Sequence, residues 1–470
     1  MGSGSALSGY GVLITFDFIS RPSATICAAV WQKRKRIVMI SSPMIMLIFW
    51  MLAVKYRRGI FLLELPSWSV AIDRHAVEMP SLLLNGYLDG EKCRRTLTDI
   101  NFAKTAAKNR ITFADSANIS VSCESIFHRG FYTDRPMSRE EAELPIAYAR
   151  VVFRDYYMQE AMFNVMFAPQ NEFCYVIDKK ASFEFHARMR NLSACFPNVH
   201  ISEIEYSVSS DGENMIRSLL QCMRILVRYP KWKYVFLLQN HDLPLKTNAE
   251  LVRILSVFNG SNDVEMKVPR ASMNISWKFG SLNIFRDKRR NDDRRLYLVK
   301  GGVQSIFSRA YVEYILNTLN VSIFLNNLDN IKFGGDEMFF ATLNMQDELG
   351  VPGGFTRRCL SSRPFYASKF AIWQHMGGCS SSKFRHAVCT FGIEDLPKLM
   401  NVSKLIANKM LPEFDYSAFS CWMQTLFNLT YGNLTRRLSL ETYSRLPHVR
   451  FNRERERWMR NPTAFNCTYH

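Results

Sequence analysis

Apolar residues along most of the chain fall in short runs between polar stretches, and the period of those runs switches. Residues 147–153 (AYARVVF) form a β-rich run, and the spacing of Met158, Met162 and Phe163 predicts a helix over 155–167. A second buried strand is read at 173–177 (FCYVI), ending at Asp178, and a third at 198–204. A helix follows over 213–227, then a fourth strand at 234–238 (YVFLL) that runs into Gln239, Asn240, His241 and Asp242. Strand and helix alternating in runs of this length predict an α/β domain with a mostly parallel central sheet. Ligands of such sheets sit beyond the carboxyl ends of the strands, which makes Asp178 and Asp242 candidates. Each also reads as the N-cap of the helix after it. Neither GxGxxG nor GxxxxGK[ST] occurs, which argues against a dinucleotide or P-loop site.

One run has no such alternation. Residues 37–54 (IVMISSPMIMLIFWMLAV) carry no charge and are flanked by Lys33, Arg34, Lys35 and Arg36 before and Lys55, Arg57 and Arg58 after. This predicts a transmembrane signal-anchor rather than a buried helix of a soluble domain. Both flanks are basic, so charge does not orient it. The glycosylation acceptors do: Asn118, Asn191, Asn259, Asn274, Asn320, Asn401, Asn428, Asn433 and Asn466 all follow the run. Ten of the eleven cysteines also follow it, none in a CxxC pair, as disulfides in an oxidising compartment would require. The expected organisation is a cytoplasmic tail (1–36), a membrane anchor (37–54), a stem (55–120), a lumenal domain (121–445) and a C-terminal tail (446–470).

An apolar fraction of 47% and a charged fraction of 22% are those of a folded protein. The net charge of +18 admits nucleic acid, an anionic membrane or a phosphorylated substrate as partner. No zinc-finger spacing, RNP-type strand or basic heptad is present, which argues against nucleic acid. Segment 259–297, with Arg286, Lys288, Arg289, Arg290, Arg294 and Arg295, reads as a long, solvated surface excursion.

Candidate chemistry lies further on. Gly334-Gly335-Asp336-Glu337 precedes an apolar helical run at 338–343, so two carboxylates stand at a helix N-terminus. Asp336 suits the helix dipole there, which leaves Glu337 as candidate general base. None of the nineteen aspartates lies two positions from another, so the Asp-x-Asp grip on a diphosphate-bound metal is missing. Arginine or lysine would then neutralise a departing diphosphate, and Arg385 and Lys409 are the candidates. No metal and no other cofactor is expected.

Taken in order, SREEAELPIAYARVV, FCYVIDKKA, WKYVFLLQNHDLPLKTN, GGDEMFFATL, VPGGF and VCTFGIEDL followed by LIANK resemble the core-2/I-branching β-1,6-N-acetylglucosaminyltransferase family, related to peptide O-xylosyltransferases. The resemblance spans about residues 120–425. It implies a GT-A-like fold and a type II Golgi membrane protein. It also implies inverting, metal-independent transfer of N-acetylglucosamine from UDP-GlcNAc to a glycan acceptor on a glycoprotein, with a homodimer among the compatible assemblies. Glu337 matches the family's catalytic base, Asp178 its uridine contact and Lys409 its diphosphate lysine. The partner arginine stands three residues before the cysteine of the VC block in the family. His386 occupies that spacing here, and the role is assigned to Arg385, one residue back. Asp242 and Glu265 are the acceptor-side candidates. The resemblance implies disulfides Cys123–Cys195, Cys174–Cys222, Cys379–Cys389 and Cys93–Cys421, with Cys359 and Cys467 left over. Its competitors are a UDP-xylose-dependent protein xylosyltransferase, a catalytically inactive glycan-binding relative and, from charge alone, a basic membrane-surface or nucleic-acid-binding protein.

Overall fold

The computed structural model describes residues 77–84, 88–116, 118–271, 275–331 and 334–469. The run read as an anchor (37–54) and the acceptor Asn274 lie outside them. Among the described residues no helix is long and apolar enough to cross a membrane.

The central sheet is built from β1 (Ile146–Val152), β2 (Glu172–Ile177), β3 (Val199–Ile201) and β4 (Tyr234–Gln239). Their order is β3-β2-β1-β4, all parallel, and strand Ile306–Ser308 adds antiparallel to the free edge of β4. Every residue of β1 is buried. A strand covered on both faces tends to read as a continuous apolar run, as 173–177 does, while β1 also encloses the charged Arg150. Its side chains still alternate between two cores. Tyr148, Val152, Tyr175, Ile177, Phe236 and Leu238 enter one, while Ala149, Val151, Cys174, Val176, Val235 and Leu237 enter the other. The first core is closed by helices Tyr156–Met166, Phe183–Cys195 and Pro412–Thr430, and the second by Met215–Leu226 and Asp336–Met345.

A small second sheet completes the frame. β5 (Asp242–Pro244) pairs antiparallel with strand Ile406–Asn408, which pairs in parallel with Lys369–Phe370. The register sets Asn408 opposite Asp242, so the residue after Asn408 emerges beside the carboxyl end of β4.

Three stretches depart from the sequence reading. From residue 77 the segment assigned to a stem is packed against the domain: Leu82, Leu83, Leu88 and Leu97 are buried, and Arg110 bonds both Glu394 (2.5 Å) and Asp415 (2.6 Å). The C-terminal stretch is packed too, with Val449 and Phe451 buried and His448 Nε2 3.0 Å from Asp263. Segment 259–297 is a solvated excursion only in part: Arg286, Lys288, Arg289, Arg294 and Arg295 are exposed, with Arg289 paired to Asp287 and Arg294 to Asp292, while Val264, Met266, Phe279, Leu282, Ile284 and Phe285 fill the second core.

The four implied disulfides form, and the two cysteines left over among the described residues make a fifth, Cys359–Cys467. Of the acceptor asparagines, Asn118, Asn191, Asn259, Asn401, Asn433 and Asn466 are exposed, and Asn320 and Asn428 are half-buried.

Candidate active site

The carboxyl ends of β1, β2 and β4 open onto a cleft of about 660 Å³. Asp178 follows β2 directly, is 7% exposed and accepts a hydrogen bond from the Lys180 amide at 2.9 Å. It is not the cap of the next helix, because Ser182 fills that place by accepting from Phe185 N. The Asp178 carboxylate is therefore left to line the cleft. Val151, Gln239 and Asn240 line it as well.

Cations line the same cleft. Lys409 emerges from strand Ile406–Asn408, and burial pulls its ammonium below the ordinary lysine range; Asp242 opposes this, while Arg385 and Lys369 add to it. Arg385 ends the first strand of a hairpin, Phe384–Arg385 against Val388–Cys389, anchored by the Cys379–Cys389 disulfide. The two turn residues, His386 and Ala387, have φ of 53° and 59°, a conformation that two-residue hairpin turns demand and that L-residues seldom adopt. The hairpin carries both Arg385 and His386 to the cleft wall.

Beside the cleft, which His241 lines, Asp155, His241 and Glu413 bring three ligand-type atoms within 4.8 Å of one another. His241 Nε2 lies 2.6 Å from Asp155, while Arg154 pairs with both Asp155 and Glu413 and Arg385 approaches Glu413 at 3.4 Å. The two carboxylates are thus already balanced by guanidinium groups. Burial pushes the His241 imidazole below its usual range, against the pull of Asp155.

Asp336 and Glu337 open helix Asp336–Met345, as their place before the apolar run predicts. Asp336 lines the cleft, packed so closely on Gly212 (φ 104°) that no Cβ fits there. Burial, aided by the Glu337 charge, raises its carboxyl to about 7. Glu337 is about one-quarter exposed and is bonded to the Lys300 ammonium. Lys369, buried, lies within electrostatic reach of Glu337, Glu265, Asp242 and Lys409, and so links the base candidate to the cationic wall.

The two acceptor-side candidates are placed differently. Glu265 is 3% exposed and engaged by Lys267 and by Lys369 at 3.1 Å; burial alone would raise its carboxyl, but the two ammonium groups hold it at about 2. Asp242 is wholly buried and does not line the cleft. Its carboxylate accepts from Gln239 N (2.6 Å), Asn408 Nδ2 (2.6 Å) and Gln304 Nε2 (3.1 Å). Nor does it cap the next helix, which Thr247 does through a capping box with Glu250. Asp242 holds β4, β5 and Asn408 together, so the direct acceptor contact expected of it is corrected to a structural one.

Asp178, Arg385 and Lys409 thus share one cleft with Asp336, and Glu337 stands one residue from its wall. Sequence reading missed Arg154, Asp155 and His241. The first two follow a strand just as Asp178 does, so the same rule would have found them. Lys300 and Lys369 had no local signal, since only tertiary pairing brings them to Glu337.

Comparison with known proteins agrees with this architecture. Residues 146–400, from the first residue of β1 onward, match the family model described as "Branch: Core-2/I-Branching enzyme". A Bos taurus Beta-1,3-galactosyl-O-glycosyl-glycoprotein beta-1,6-N-acetylglucosaminyltransferase is 29% identical over 355 residues, which cover 72% of this chain and 82% of the relative. A Mus musculus protein of the same description, numbered 3, is 27% identical over 358 residues, covering 73% and 82%. A Bovine herpesvirus 4 protein of that description is 28% identical over 326 residues, covering 65% and 72%. With more than half of its length matched, and with Asp178, Asp242, Glu265, Glu337 and Arg385 all inside the matched stretch, the chain belongs to the core-2/I-branching enzyme family of glycosyltransferases.

Proposed function

We propose that this enzyme transfers N-acetylglucosamine from UDP-GlcNAc to a sugar 6-hydroxyl of a glycoprotein glycan, forming a β-1,6 branch with inversion and without a metal ion. The observation that carries the reading is the gathering of Asp178, Arg385 and Lys409 in one cleft beside the helix that Asp336 and Glu337 open. Asp178 holds the uridine end of the donor. Lys409 and Arg385 face the diphosphate and balance the charge that grows on it as the glycosidic bond breaks. Glu337 takes the proton of the attacking hydroxyl, which adds to the face of the anomeric carbon opposite the leaving UDP. Ligand residues at the carboxyl ends of parallel strands support a GT-A-like description of the domain. Five disulfides and acceptor asparagines at the surface support a lumenal Golgi location behind a type II anchor.

The test is release of UDP by the full-length enzyme with UDP-GlcNAc or UDP-xylose and a panel of O-glycan acceptors, in the presence of EDTA. The expected result is turnover with UDP-GlcNAc that EDTA leaves intact and that Glu337→Gln lowers by about a hundred- to ten-thousand-fold. A preference for UDP-xylose would make it a protein xylosyltransferase. Loss on chelation would sink the metal-free mechanism. Glycan binding without turnover would make it an inactive relative.

A further inference from the structure

A second cavity, of about 220 Å³, lies at the other end of the small sheet from Lys409. Lys246, Arg436 and Arg437 line it together with the hydroxyl residues Ser403, Ser439 and Thr442, and no carboxylate is among its lining residues. Lys246 is 7% exposed, and its ammonium donates to the Val402 carbonyl at 2.8 Å. An ammonium has three protons to place. The nearest carboxylate, Glu250, is taken by Arg436, whose Nε lies 2.6 Å from it. Arg436 in turn spends Nη2 on the Leu245 carbonyl and keeps Nη1 buried with no partner. Two enclosed cations thus share one carboxylate, and the exposed Arg437 adds a third positive charge.

Buried charge without a counter-ion is costly, and natural folds keep it where something pairs with it. We propose that this cavity is an oxyanion site, built to take a sulfate or phosphate group between Lys246, Arg436 and Arg437. The hydroxyls of Ser403, Ser439 and Thr442 supply neutral donors of the kind such groups accept. Burial and the Arg436 charge together draw the Lys246 ammonium down to about 8, a strain that a bound anion would relieve. The cavity exceeds a tetrahedral oxyanion in volume, leaving room for a sugar that carries it. This site is separate from the donor cleft and does not depend on the transfer reaction proposed above.

The test follows the melting temperature of the full chain as sodium sulfate replaces sodium chloride at matched ionic strength, with UDP saturating the donor cleft. Sulfate stabilises folded proteins by exclusion as well, so the quantity read is the difference between wild type and Lys246→Gln. A saturating rise in wild type that Lys246→Gln lacks is expected, and inorganic phosphate should reproduce it. Galactose 6-sulfate distinguishes the sources: a rise at lower concentration than sulfate assigns a sulfated glycan, an equal one the free ion. Equal rises in wild type and Lys246→Gln overturn the proposal, as does a rise that Lys409→Gln abolishes and Lys246→Gln keeps. Should Lys246→Gln fail to fold, equilibrium dialysis with radiolabelled sulfate compares wild type with Arg437→Gln. Weakening on the order of tenfold supports the site, and no binding by wild type overturns it.

Discussion

The ammonium of Lys300 is bonded to Oε2 of Glu337, and the next residue's amide, Gly301 N, donates to the Glu337 backbone carbonyl at 2.7 Å. Lys300 is itself fixed by a two-way bridge to Lys267, with N–H to carbonyl distances of 3.0 and 2.7 Å. A rigid backbone therefore delivers the cation to one oxygen of the candidate base. Lys300 is a positioning residue in this arrangement. Lys300→Met is expected to lower kcat by about tenfold to a hundredfold with the KM for UDP-GlcNAc and the melting temperature unchanged, and Lys300→Arg to restore part of the loss. In a Glu337→Gln background the same change should cost almost nothing more. Equal losses in both backgrounds would show that Lys300 acts elsewhere, whereas a Glu337→Gln variant with full turnover would remove the base itself.

Neutralising the cationic wall should separate its two candidate members. Lys409→Gln and Arg385→Gln are each expected to reduce kcat/KM by about a hundred- to a thousandfold, the usual cost of removing a donor aimed at developing negative charge. His386→Asn keeps a residue that tolerates the left-handed turn. It should cost less than tenfold if Arg385 is the diphosphate partner. Steady-state kinetics with UDP-GlcNAc decide the matter, and a reversed order of effects would hand the role to His386.

Asp336 ties stability to pH. In the fold it keeps its proton up to about pH 7, because burial and the neighbouring Glu337 charge disfavour ionisation. An unfolded aspartate loses its proton near pH ~3.9. Between those values the native state holds the extra proton, so this group's contribution is intact below about pH 4, falls as the pH rises, and levels off above about pH 7. Asp336→Asn removes that dependence. Its melting temperature relative to wild type should climb across the same window, measured by calorimetry from pH 4 to 8, and a difference that stays flat would contradict the burial argument.

The strands and helices that frame the cleft were legible because their signals are local. Apolar runs such as 173–177 and polar residues just after them, such as Asp178, announce buried parallel strands and their ligand-bearing ends. Glu337 was legible for the same reason, as an acid ahead of an apolar helical run. Glu265 and Asp242 read only as acceptor-side candidates because sequence shows charge but not the distant residues that enclose it: Lys369 lies 104 positions from Glu265, and Asn408 lies 166 from Asp242. Segment 259–297 was legible only in its exposed basic residues, because a charge count does not show the apolar residues between them that fill the second core.

Helix Gly90–Thr98 offers a last test, because one covalent link joins it to the middle of helix Pro412–Thr430. The Cys93–Cys421 disulfide closes a separation of 328 residues. Long closures restrict the unfolded chain most in the loop-entropy account, and loss of a native disulfide typically costs about 2–5 kcal/mol. Leu82, Leu83 and Leu97 remain buried without it, and Arg110 still bonds Glu394 and Asp415, so docking should weaken rather than vanish. The double variant Cys93→Ser/Cys421→Ser is expected to unfold at lower denaturant with that loss in stability, and trypsin should cut first between residues 77 and 116. Cleavage spread evenly over the domain would mean that this segment shares the stability of the whole, and that the disulfide does not hold it as a separate unit.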